Sequence, residues 1–285
     1  YNLIVNNEML DSCTNYECYK GLHSSFNSMN MFEIAHSLHR QYGGDPWCIY
    51  QGKHLVSFAD NHDVSRLASI LTEKRHLRPA YGVLFGMPGI PCLYYGSEWG
   101  QLGEKGAGHL ADVALRPALD APAAEALEHL APGWDGGNAP NELTGYICAL
   151  NHVRRASRAL CHGSYRNVVI TNEQLLFERD ACAGAAGAAE RVLVAVNADD
   201  APFTFGDGAL RGRFEVLLVS APAFDKAHAD PDAPGCPAVK KTWKAAPQHE
   251  DSSRHDPHPV AEDTLALEGT LEIPPYGVIY LRAIG

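Results

Sequence analysis

Three things are scarce in this 285-residue sequence. No apolar run approaches the roughly 18 residues that cross a bilayer, which argues against a membrane-spanning helix. Basic residues are in deficit: 23 Lys and Arg against 34 Asp and Glu leave a formal net charge of −11. Binding to nucleic acid requires a positive face to meet the phosphates, so that class is set aside too. The eight cysteines (13, 18, 48, 92, 148, 161, 182 and 236) include no C-x-x-C pair and are irregularly spaced. That argues against a disulfide framework. Cys92 and Cys148 fall inside an expected buried strand and a helix, so the thiols are expected to be reduced, buried hydrophobes. A reducing, cytoplasmic setting follows, and no secretory signal is visible.

With 46% hydrophobic and 20% charged residues, the composition is that of a soluble globular protein. The length allows one large or two ordinary domains. Two stretches are the most informative: Leu55–Asp63 (LVSFADNHD) and Gly89–Glu98 (GIPCLYYGSE). Each is an apolar run ending in polar and charged groups, the pattern of a buried parallel strand with chemistry at its carboxyl end. Between them Leu77, Ala80, Tyr81, Leu84 and Phe85 recur at helical spacing, which predicts an amphipathic crossover helix. Pro88 and Gly89 stop it, completing a right-handed βαβ unit.

Further helices are predicted over Met31–Arg40, with Phe32, Ala35 and Leu38 on one face, and on the stripe Leu143, Tyr146, Ile147, Leu150 and Val153. Arg154, Arg155 and Arg158 suit the negative pole of that last helix, and Gly163 ends it. Residues 100–137, rich in Gly, Ala and Pro, read as a loop region with one short helix over Ala121–Leu130. After Gly163 come short β-type runs: Val168–Thr171, Leu175–Glu178, Val192–Asn197, Phe214–Val219, Leu265–Leu267 and Val278–Leu281. Turn-forming residues separate them, which predicts a small antiparallel sandwich. Ala181–Ala189 and Ala221–Val260 read as inserted loops.

FADNHD followed by GIPCLYYGSEWG resembles strands seven and eight of the α-amylase family of glycoside hydrolases. MLDSCTNYECYKGLHSSFN (10–27) resembles strand six and its helix, Leu115-Arg116-Pro117 a loop after strand eight, and PPYGVIYLRA (274–283) the closing strand of the C-terminal β-domain. The resemblance therefore implies an α/β fold: the C-terminal portion of a (β/α)8 TIM barrel, strands six to eight, over residues 1–162, then an antiparallel β-sandwich over 163–285. It also implies roles. Asp63 becomes the transition-state stabiliser, holding the 2- and 3-hydroxyls of a sugar against developing positive charge. His62 donates to a hydroxyl in the same subsite, Asn61 orients its neighbours, and Arg116 contacts substrate or braces the rim. A competing role for Asp63 is N-cap of a helix beginning near Val64. Arg66 is expected to pair with a nearby carboxylate. Tyr94 and Tyr95 are read as strand packing, Gly96 as a tight-turn residue, and Glu98 as a support of the strand-eight loop.

The same comparison exposes an absence. A retaining glycosidase needs two carboxyl groups about 5 Å apart, and in this family both lie before strand six. The Arg254-His255-Asp256 string stands in a Pro- and His-rich loop, in the wrong order, and Glu8 reads as a solvated loop residue. The chain is thus expected to be the C-terminal part of an α-glucan-acting hydrolase or transglycosylase, inactive alone; the alternative is a noncatalytic carbohydrate-binding or regulatory module derived from one. No metal ligands are expected, because His249, His255 and His258 match no compact zinc spacing; calcium would be bound by the parent enzyme through upstream residues. The expected partners are a maltooligosaccharide and either the missing barrel half or a second copy, since three parallel strands leave open edges.

Overall fold

The computed structural model describes residues 2–6, 8–118, 141–184, 187–220 and 264–284. The expected helix at Ala121–Leu130, the Ala221–Val260 insert and the Arg254-His255-Asp256 string lie outside them, as do His249 and Cys236.

Two helices come first, α1 (Tyr16–Asn27) and α2 (Phe32–Tyr42). Asn15 opens α1 by accepting from the Cys18 amide at 3.0 Å, which satisfies one of the free N–H groups of the first turn. Strand β1 (Val56–Phe58) then pairs in parallel with β2 (Ile90–Cys92). On the other side of β1 the backbone of Cys13–Asn15 adds a short parallel neighbour: the Val56 amide donates to Cys13 O at 3.0 Å, and the Asn15 amide to Val56 O at 2.8 Å. Between the two strands stand the single-turn helix α3 (Leu67–Ile70) and the crossover helix α4 (Leu77–Gly86). The βαβ expectation holds. α5 (Glu142–Ala156) and α6 (Arg158–His162) follow, separated at Ser157, whose hydroxyl caps α6.

Among the described residues six antiparallel strands follow: β3 (Ser164–Ile170), β4 (Gln174–Ala181), β5 (Glu190–Asn197), β6 (Phe203–Ser220), β7 (Thr264–Ile273) and β8 (Val278–Ile284). Hydrogen bonding among the described residues joins them in one sheet of order β3-β4-β5-β8-β6-β7, where a sandwich of two sheets was expected. Irregular register within β6, at Gly206/Arg211 and Val216/Leu218, lets one 18-residue strand serve two neighbours. Alternation then gives the sheet two apolar faces. Phe177, Val194, Val278 and Tyr280 join the helices in one core, while Leu176, Leu193, Phe205, Phe214 and Leu281 form a second cluster.

The contact between sheet and helices corrects one expectation. α4 is not amphipathic: Leu77 and every residue from Pro79 to Gly86 are buried. The sheet covers the face that an outer barrel helix would show to water. Glycine makes this approach possible. A Cβ at Gly82 would stand 2.8 Å from Val278 Cγ1, and one at Gly86 2.9 Å from Phe177 Cζ, too close for any real side chain. Two buried arginines fix the same contact. Arg179 of β4 donates to Gly86 O and Gly163 O at 2.8 Å and to Ser164 O at 3.0 Å. Arg154 of α5 donates to Phe85 O, Met87 O and Gly89 O at 2.6, 3.0 and 2.5 Å. Arg154 thus serves the negative end of α4, not that of its own helix. The other surprises are exposures. Phe32 and Cys148 face outward on their helices, and Cys92 is exposed because β2 is the outer strand of the parallel pair.

Burial also sets a pH response. His76, with Nε2 2.9 Å from Ala198 O, lies between the rings of Phe26 and Tyr276. Burial holds its imidazole, and those of His23 and His54, below the ordinary value of 6.5. A depressed histidine pKa means that, below about pH 6.5, the unfolded chain takes up protons the folded chain refuses. The stability these groups contribute is therefore complete above about pH 6.5 and lost as the pH falls towards their folded-state pKa values. Urea titrations at about pH 7.5 and 5.5 should show a lower midpoint at the acid value. His76→Gln should narrow the gap; an unchanged gap would remove His76 from the account.

Candidate active site

β1 delivers its polar residues at its carboxyl end. Ala59 and Asp60 are still buried, and Asn61, His62 and Asp63 emerge into solvent beyond them. Asp60 is the anchor. Its carboxylate accepts from the Leu67 amide at 2.7 Å and from Ser97 Oγ at 2.6 Å, tying β1 to the turn after β2. Burial pushes the Asp60 pKa up, against these bonds and the nearby Arg66 charge. The capping role that Asp63 could have taken therefore belongs to Asp60, and α3 begins at Leu67.

Arg66 is fully buried. Its guanidinium donates to Tyr95 O at 2.7 Å, Ser97 Oγ at 3.1 Å and Leu115 O at 2.9 Å. It also lies 4.1 Å from the centroid of the Tyr94 ring. These donors go to carbonyls and a hydroxyl instead of the expected carboxylate, and Tyr94 packs on a cation as well as on its strand. The Tyr95 hydroxyl donates to Pro117 O at 2.8 Å. Gly96, at φ 85°, supplies the left-handed turn that follows. The Glu98 backbone carbonyl accepts from Thr144 Oγ1 at 2.9 Å, which docks this turn on α5.

All four of the sequence-selected residues come together on that base. Asn61 Oδ1 accepts from the Asp63 amide at 2.8 Å, and its Nδ2 donates to the Tyr16 hydroxyl at 3.2 Å. His62 Nε2 stands 3.2 Å from Asp63 Oδ2. Arg116 Nη2 is 3.1 Å from both Asp63 Oδ1 and Asp112 Oδ2, and its Nε donates to His62 O at 3.1 Å. Arg116 braces Asp63 directly. Two members escaped the sequence reading. Lys105 Nζ donates to Asp63 O at 2.7 Å and lies 3.3 Å from Asp112 Oδ1. Both residues come from a Gly-rich stretch without period, where single charges give no signal. Glu8 is exposed.

The side chains of His62, Asp63 and Arg116 are 57, 45 and 47% exposed. Ion pairs so solvated are worth about 0–1 kcal/mol. A ligand offering hydroxyls can therefore displace Arg116 from one carboxylate oxygen at little cost, and the residual pair keeps Asp63 aimed. Neighbouring Tyr94 and Tyr95, with ring centroids 4.6 Å apart, give the rim an aromatic wall. The donor set does not suit calcium. The one cluster of three metal-ligand side chains among the described residues is His39, Asp45 and Cys48, whose imidazole and thiol are poor partners for a hard cation.

The family described as alpha amylase, catalytic domain, matches residues 7–149. A 4-alpha-glucanotransferase from Thermotoga neapolitana is 43% identical over 51 residues, 17% of this chain and 11% of that protein. Among solved structures, an Anoxybacillus α-amylase superposes with a TM-score of 0.61 at 16% identity, covering 100% of this chain and 50% of the other. The α-amylase from H. orenii gives 0.59 at 16% identity, covering 97% and 49%. A cyclomaltodextrin glucanotransferase gives 0.62 at 18% identity, covering 99% and 46%. At such identities the structural likeness speaks for the fold, and the chain spans about half the length of these structures. The family match runs from the approach to α1 to the middle of α5 and takes in both polar strand ends, so the chain belongs to the α-amylase family.

Proposed function

We propose that this chain forms the C-terminal part of a retaining, α-glucan-acting hydrolase or transglycosylase. Cys13–Asn15, β1 and β2 serve as barrel strands six, seven and eight; residues 1–162 are the catalytic-domain portion and 163–285 the C-terminal β-domain, whose second apolar cluster plays the part of a sandwich interior. Asp63 stabilises the oxocarbenium-like transition state and grips two sugar hydroxyls. His62 donates to a hydroxyl, Asn61 orients Asp63 through its amide, and Arg116 holds the carboxylate in place. One observation carries this reading: a half-exposed His–Asp pair at the carboxyl end of a parallel strand, braced by an arginine and flanked by two tyrosines. On this reading the nucleophile and general acid come from the rest of the barrel. Ile90, Cys92 and Leu93, exposed on and just after the outer strand β2, form the face that the rest of the barrel would cover.

The test is catalytic. The purified chain should not hydrolyse maltooligosaccharides, and turnover should appear when a barrel half carrying the Arg-x-Asp strand and a Glu-ended strand is supplied. Hydrolysis by the chain alone, abolished by Asp63→Asn, would overturn the division of carboxylates. Sugar binding without turnover, even with the barrel half present, would favour the noncatalytic binding module.

A further inference from the structure

Away from this rim, the last turn of α2 and the loop after it bring three different ligand types together. His39, Asp45 and Cys48 each offer one donor atom, and the three atoms lie within 4.8 Å of one another. His39 Nε2 is 2.9 Å from Asp45 Oδ2. The loop is held in this shape by bonds independent of those side chains. The Cys48 amide donates to Asp45 O at 3.0 Å, the Ile49 amide to Arg40 O at 3.1 Å, and the Tyr50 amide to Gln41 O at 2.8 Å. Gln51 Nε2 donates to Gly43 O and Asp45 O at 2.7 and 2.6 Å. Gly43 completes the arrangement, because a Cβ there would stand 2.8 Å from His39 Nδ1 and displace the ring. The edge of Trp47 packs on the same imidazole, with centroids 5.3 Å apart.

We infer that His39, Asp45 and Cys48 form a binding site for a zinc-class divalent ion. A thiolate, an imidazole and a carboxylate make up the mixed donor set of tetrahedral Zn²⁺, which takes three protein ligands and one water when a fourth position is open. That position is available, since the His39 and Asp45 side chains are 35 and 48% exposed. On binding, Cys48 releases to solvent the thiol proton it donates to His39 O, and the ion lies between Nε2 and Oδ2. The neutral imidazole binds the ion through Nε2 and carries its single N–H on Nδ1, a proton held on Nε2 beforehand moving to Nδ1 through solvent. The ion cross-links the end of α2 to the loop that leads into β1, the strand carrying His62 and Asp63.

Cobalt(II) is the probe, because Zn²⁺ is spectroscopically silent. With eight cysteines and 14 histidines in the chain, variants are needed to locate the ion. Titration of the full chain with Co²⁺ should give a thiolate-to-cobalt charge-transfer band saturating at one equivalent and removed by Zn²⁺. Cys48→Ser should abolish the band, and His39→Gln should weaken binding at least about 100-fold, since even outer-shell partners of a metal ligand are worth 10–100-fold. Cys236→Ser should leave both unchanged. Zn²⁺ should also raise the Tm of the wild-type chain but not of Cys48→Ser, with far-UV circular dichroism confirming that the metal-free variant is folded. No band, or a band that survives Cys48→Ser or is lost in Cys236→Ser, would overturn the site. Neither result would touch the proposed glycosidase role.

Discussion

Replacing Arg179 by Met should lower the stability of the chain by about 2–4 kcal/mol, measured as a fall in the urea midpoint at unchanged slope. The side chain is 1% exposed, and its donors go to the carbonyls of Gly86, Gly163 and Ser164. Burial, with the charge of neighbouring Arg154 adding to it, pulls the guanidinium pKa down to about 9. The group therefore stays charged at neutral pH. Two effects oppose each other in the variant. Removing a buried cation recovers desolvation energy, whereas the buried Gly86 carbonyl and the partly buried Gly163 and Ser164 carbonyls lose a charged donor, at roughly 1–3 kcal/mol for a buried acceptor left unmade. The carbonyls win, because methionine offers them nothing and close packing at Gly86 leaves little room for water. Arg179→Lys should recover only part of the loss, since an ammonium cannot reproduce the fork. A loss below about 1 kcal/mol would show that water reaches the carbonyls and that the sheet is not clamped to α4 in this way.

In an enzyme completed by the remaining barrel strands, Asp63→Asn should lower kcat by about 10²–10³, the usual scale for losing one preorganised electrostatic stabiliser. The amide keeps the shape and a hydrogen-bonding oxygen but loses the charge that opposes the developing cation. Arg116→Ala supplies the comparison. If Asp63 only closed the ion pair with Arg116, the two variants would be equally impaired and the double variant no worse than either. The proposed role makes them unequal: Arg116→Ala should act mainly on KM, through a less firmly aimed carboxylate, while Asp63→Asn acts on kcat. Equal losses in kcat would reduce Asp63 to a brace.

Much of this could be read from local pattern. The apolar runs ending in Asn61-His62-Asp63 and in Tyr94-Tyr95-Gly96 marked two parallel strands, of which the second is exposed and not buried as expected, and helical spacing marked the cores of α2, α4 and α5. The six β-type runs each fall on a strand of the sheet. The four site residues named from motif order do meet at one strand end, because the motif fixes which side chains leave β1 once its direction is set. What escaped were groups whose meaning depends on a distant partner. Lys105 and Asp112 are unremarkable charges in a Gly-rich stretch until the chain returns them to Asp63.

Sequence alone settled the strands, their polar ends and the family, since alternation, helical period and motif order are properties of neighbours along the chain. Only the tertiary structure decided that Asp60 rather than Asp63 caps α3, that Arg66, Arg154 and Arg179 spend their donors on carbonyls and, for Arg66, a hydroxyl, and that every residue of α4 but Arg78 is buried. The physical reason is common to the polar cases: a buried polar group must be satisfied by whatever lies opposite it, and for Arg179 that partner, Gly86, stands 93 residues away along the chain.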